Sequence, residues 1–117
     1  MRAGASAFFG LASALSAAMP AAAADTAHDW RVVQDNVFRQ GFVAGIASYL
    51  MNQSESTKRA GYAECFSGRT DVSLLGVVDD YMDRHPESAA YTPDVTVGLA
   101  LDELCAGYLP RPPILPQ

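Results

Sequence analysis

Two cysteines, Cys65 and Cys105, are the feature that most limits what this chain of 117 residues can become. Their fate depends on the compartment. The chain opens with Arg2, continues with a small and apolar stretch from about Ala7 to Ala18, and reaches Ala22-Ala23-Ala24. That is the order of basic start, apolar core and small-residue cleavage site found in an export signal. A membrane anchor would need about 20 apolar residues, and here the apolar core is short and Pro20 interrupts it. Residues 1–24 therefore read as a cleavable signal peptide, with the mature chain soluble and periplasmic from Asp25 onward. In an oxidising compartment two cysteines pair. The loop of about 40 residues they would close is worth about 4 kcal/mol in the chain-entropy account. A domain this small buries a limited share of its surface and gains much from such a staple.

Other roles for the cysteines need groups the sequence does not supply. A zinc site takes three or four ligands, and His28 and His85 stand at no ligand spacing to either cysteine. A catalytic thiol needs a neighbouring base. Ser67 lacks the strand–elbow–helix setting of a nucleophile, and the hydroxyls and histidines form no triad. The reading is a protein that is not an enzyme, with no metal and no cofactor. Without Arg2, seven basic and thirteen acidic side chains remain, a net charge of about −6. That balance argues against nucleic acid and anionic membrane as partners.

Hydrophobic periodicity predicts an all-α bundle of three main helices, with one or two short extra ones, over residues 25–107. The first runs from Trp30 to about Asn52. Phe38, Phe42, Val43, Ile46, Tyr49 and Leu50 share one wide apolar arc, and Val33, Val37 and Ala44 form a second patch. Gly41 and Gly45, four residues apart, mark an edge where another backbone can approach, either inside the domain or from a second copy. Gln53 to Glu64 reads as a polar connection. The second helix enters through Thr70 as N-cap with Asp71 in its first turn and stops before Pro86. Leu74, Leu75, Val77, Val78, Tyr81 and Met82 form its core face, and Asp79, Asp80 and Asp83 its acidic face. The third follows Thr92 and Pro93 and carries Cys105 in its last turn, with Gly107 expected to end it. Val95, Leu99 and Ala106 are left as spare apolar surface, which with the glycine edge favours a homodimer. Residues 108–117, with four prolines, read as an extended tail.

Three segments in this order resemble the Rap/Tai immunity proteins of type VI secretion. They are GFVAGIASYL (Gly41 to Leu50), CFSGRTDVSLLGVVDDYMDRHPE (Cys65 to Glu87) and VGLALDELC (Val97 to Cys105). The resemblance implies a helical periplasmic domain with a Cys65–Cys105 disulfide that binds and blocks a secreted peptidoglycan amidase. The loops and the acidic face are then the expected contact points. They comprise Ser54, Glu55, Lys58 and Arg59 in one loop, Asp79, Asp80 and Asp83 on the helix, and His85, Glu87 and Tyr91 in the other loop. An acid-stress chaperone of the periplasm, or an envelope protein with another binding role, is the alternative for a short, helical, singly bridged chain.

Overall fold

An Asp-Asn pair at positions 35 and 36 cuts the expected first helix in two. In the computed structural model, which describes residues 25–110, α1 spans Ala27–Val33 and α2 spans Asn36–Met51. Gln34 is extended, and the Asp35 carboxylate accepts the Phe38 N–H at 2.7 Å. Aspartate is a strong N-cap because its oxygen satisfies an amide that the first turn leaves without a partner. The apolar pattern continued across this break and hid it.

The polar connection expected at Gln53 to Glu64 is largely a helix. Here α3 spans Ser56–Phe66, entered through Glu55, whose carboxylate accepts the Lys58 N–H at 2.8 Å. Its buried residues are Gly61, Tyr62, Cys65 and Phe66. That spacing is helical, but only one narrow face is apolar, so the mean composition read as a loop. Cys65 thus ends α3 rather than merely preceding the next helix. Gly68, at φ +78°, then turns the chain toward α4. A side chain at that left-handed position is strained, so glycine fits.

Helix α4 spans Asp71–Arg84 with the expected Thr70 cap. Thr70 and Ser73 exchange hydrogen bonds at 3.0 Å in both directions. Its buried residues are Leu74, Leu75, Val78 and Met82. His85 closes it, and a 3₁₀ turn, Pro86–Ala90, leads to α5, Pro93–Cys105. Thr92 occupies the expected N-cap position, but its side chain makes no capping bond. Gly107 does not end α5 in a left-handed cap. The helix instead tightens into a second 3₁₀ turn, Ala106–Tyr108.

The result is all-helical among the described residues: five α-helices rather than three, with two 3₁₀ turns. Trp30 from α1, Val43 and Ala47 from α2, Val78 from α4 and Val97, Ala100 and Leu101 from α5 meet in one core. Burying one such large aliphatic side chain is worth about 1.5–3 kcal/mol. The Cys65–Cys105 disulfide is present, with Cα atoms 5.5 Å apart, and joins the end of α3 to the end of α5. Tyr108 and Leu109 pack against α3 at Gly61, so the packed domain reaches two residues past the expected boundary at 107. The signal peptide read in residues 1–24 and the tail beyond Pro110 lie outside the described residues. No helix among the described residues is long and apolar enough to cross a membrane.

Candidate functional site

Around α2, the ten residues expected at a contact surface fall into a cluster past its C-terminus, the acidic face of α4 near its start, and a second cluster around His85. Ser54, Glu55, Lys58 and Arg59 follow its C-terminus. Asp79 and Asp83 pair with Arg39 and Arg31, at and before its start. A helix of sixteen residues separates these ends by roughly 24 Å.

In the first cluster, two charged groups serve the local backbone. Glu55 caps α3 and also accepts the Thr57 hydroxyl at 2.7 Å. These bonds, the Thr57 one foremost, lower its carboxyl pKa. Arg59 donates to the Gln53 carbonyl at 2.8 Å, closing the turn between α2 and α3. Ser54 and Lys58 are exposed.

The acidic face of α4 is neutralised from three directions. Arg39, with its side chain only 8% exposed, lies over the Trp30 ring and reaches Asp79 at 2.9 Å. Arg31 reaches Asp83 at 2.9 Å, and Arg84 reaches Asp80 at 2.8 Å. Asp79 and Asp83 thereby tie α4 to α2 and α1, whereas the Asp80 pair lies within α4. Arg39 went unremarked in the sequence, although it stands on the Val43 side of α2. A charged residue inside an apolar arc was the available signal, because buried charge requires a partner.

The second cluster gathers around His85. Its ring packs against Tyr81 with centroids 4.3 Å apart and planes tilted by 33°, with Glu103 at 3.4 Å from one nitrogen and Glu87 at 3.6 Å from the other. Arg84 bonds Glu103 at 2.6 Å. That bond is the main reason the Glu103 carboxyl titrates below its usual range, and Arg84 is raised in turn. Burial, with Glu103 next, raises the Tyr81 hydroxyl. Glu103 was not singled out in the sequence, since nothing in its own helix shows that α5 returns to the end of α4.

The adjoining loop is held firmly. The Ser88 hydroxyl donates to the His85 carbonyl at 2.7 Å, and the buried Thr96 hydroxyl donates to the Ser88 carbonyl at 2.7 Å. The Ala27 N–H donates to the Tyr91 carbonyl at 2.7 Å, which pins the loop to the start of α1. Glu87 and Tyr91 present exposed side chains on this fixed frame.

A separate cleft of about 190 Å³ opens between α2, α3 and the start of α4. Ala47, Met51, Phe66 and Leu74 line it, with Arg69 and Asp71. None of the ten expected contact residues does. Among the described residues, no three His, Cys, Asp or Glu side chains are grouped to hold a metal.

The class defined by these features is a disulfide-bridged helical domain with a fixed, charge-rich loop at one end. No family model, no curated protein and no solved structure matches the chain.

Proposed function

We propose that this protein is a periplasmic, non-enzymatic binding protein, and that it protects its cell by occupying a peptidoglycan amidase toxin. The observation that carries the binding reading is the His85–Tyr91 loop. Its backbone is held at Ser88 by the Thr96 hydroxyl of α5 and at Tyr91 by the Ala27 N–H of α1. A surface ordered before binding loses little freedom on contact, which favours affinity. Paired charges and exposed Tyr91 beside it supply the polar and aromatic contacts that protein interfaces use.

The amidase comes from the resemblance of the three ordered segments to the immunity family. The Cys65–Cys105 bond in an all-helical domain agrees with what that resemblance implies. Mechanically, the disulfide and the core hold the loop while Glu87, Tyr91 and the Arg84–Glu103 pair meet the rim of the toxin's cleft. Exposed carboxylates on α4 and α5 steer a basic partner.

The test is co-expression with the product of the neighbouring gene, paired with calorimetry on the purified proteins. Protection of the cell and a complex weakened at least about tenfold by Glu87→Lys or Tyr91→Ala are expected. Absence of both protection and binding overturns the reading.

A further inference from the structure

Helices α1 and α5 begin next to each other, and each beginning leaves a backbone group that its own helix does not satisfy. The first N–H groups of a helix have no partner within it. In α1 the first of these belongs to Ala27, which is fully buried. In α5 the carbonyl that opens the helical bond pattern is that of Thr92, which accepts the Thr96 N–H at 3.1 Å. Tyr91 lies one residue outside, with extended dihedrals, so its carbonyl is left over. The two groups satisfy each other: the Ala27 N–H donates to the Tyr91 carbonyl at 2.7 Å. A buried amide without a partner is costly, so the bond matters to both helix starts.

The donor sits on a fixed element. Trp30, one turn on from Ala27, is 1% exposed and packs on Phe42 with ring centroids 5.4 Å apart. Arg31 reaches Asp83 of α4 at 2.9 Å, and the Thr26 hydroxyl accepts the Asp29 N–H at 3.1 Å. The loop is held from a different side at Ser88, through the Thr96 hydroxyl. Past Ser88, the Ala27 bond is what joins the loop to another helix by hydrogen bonding, among the described residues.

We propose that Ala27 is a positioning residue of the partner surface. Its backbone N–H, rather than any side chain, sets the Tyr91 carbonyl and with it the direction in which the exposed Tyr91 ring leaves the domain. This rests on the reading of the His85–Tyr91 loop as the surface that meets a partner. Contact with the partner then depends on a helix outside the loop, through an atom that every substitution except proline preserves.

Ala27→Pro isolates that atom. Proline is well accepted at the first position of a helix, where its missing N–H removes no intrahelical bond. Here it removes the N–H that Tyr91 uses. Ala27→Gly is the control, because it disturbs the same buried position and keeps the N–H. Hydrogen exchange on the purified, oxidised protein reads the loop directly. The Tyr91 amide, bonded to the Ser88 carbonyl, should exchange at least about tenfold faster in Ala27→Pro and within about twofold of the parent rate in Ala27→Gly. Calorimetry against the product of the neighbouring gene should show at least about tenfold weaker binding for the proline variant alone. In the parent protein the Ala27 amide should itself be protected, although it is a first-turn amide. That measurement needs no variant. A freely exchanging Ala27 amide overturns the proposal, and so do proline and glycine variants that loosen the loop equally. A partner that does not bind the parent protein overturns the toxin reading instead, and exchange then still decides whether Ala27 fixes Tyr91.

Discussion

The main-chain carbonyl of Tyr108 lies against Gly61, leaving no room for a β-carbon between α3 and the last turn of the packed domain. The 3₁₀ turn Ala106–Tyr108 is thereby set down on α3 within four residues of Cys65. A glycine in mid-helix lowers helix propensity, and here close approach of two backbones explains it.

Gly61→Ala should accordingly destabilise the protein, although alanine is the better helix former. The methyl must displace backbone, which resists more than the end of a flexible side chain. A net loss of about 1–3 kcal/mol is expected, read as a lower urea midpoint. A raised midpoint would show that the turn gives way freely.

Removing the bridge by Cys65→Ala with Cys105→Ala should cost about 4 kcal/mol, the loop-closure value for a separation of 40 residues. Both cysteines are buried, so mild reductant should act slowly on the folded protein and quickly once urea opens it. Chemical denaturation and thiol trapping check the two halves of this prediction.

The pair Arg39–Asp79 should respond asymmetrically. Asp79→Ala leaves a buried guanidinium without its carboxylate and should cost about 1–3 kcal/mol, less than a fully buried pair because Asp79 is partly exposed. Arg39→Met keeps the packing over Trp30 and removes a charge whose Nε has no partner among the described residues. It should be closer to neutral. Equilibrium unfolding of both variants decides it, and equal losses would contradict the burial argument.

Two groups shape the pH profile from opposite sides. The Arg84 hydrogen bond holds the Glu103 carboxyl below its ordinary value of 4.5. Its contribution is present above that value and is lost as pH falls through the folded one. Glu103→Gln should make the acid limb of stability shallower. Burial, then the bond at 2.5 Å to Asp102, pushes the Tyr62 hydroxyl above 10.0. That contribution is complete below pH 10 and is lost as pH rises through the folded value. An ultraviolet titration should show a late phenolate step that Tyr62→Phe removes.

How far the sequence foretold the fold differs element by element. Helix α4 was legible from Thr70 to His85, because cap, amphipathic face and the Pro86 stop agree at every level. The disulfide agrees with the pairing expected of two cysteines in an exported chain. The α1–α2 break was missed because an apolar period ran through it, while the local signal, Asp35 before Asn36, was a single capping side chain. Helix α3 was missed because its polar composition, with Lys58, Arg59 and Gly61, hid a narrow apolar face. The candidate contact residues were placed on loops correctly in part. That Glu55 and Arg59 serve the turn, or that Glu103 closes on Arg84, depends on how helices cross. Helix crossing is a long-range property that local pattern does not carry.

The bond between Cys65 and Cys105 also divides the chain topologically. It closes a covalent ring that contains α4, the Pro86–Ala90 turn and nearly all of α5, while α1 and α2 form an arm outside it. A single cut within the ring leaves one connected molecule, with the His85 loop still tethered on both sides. A cut at Gln53 to Glu55 separates the arm, which core packing by residues such as Trp30, Val43 and Ala47, the Ala27–Tyr91 hydrogen bond and the arginine pairs then hold in place. The proposed toxin surface, from Arg84 through Tyr91 to Glu103, thus lies wholly within the covalent ring.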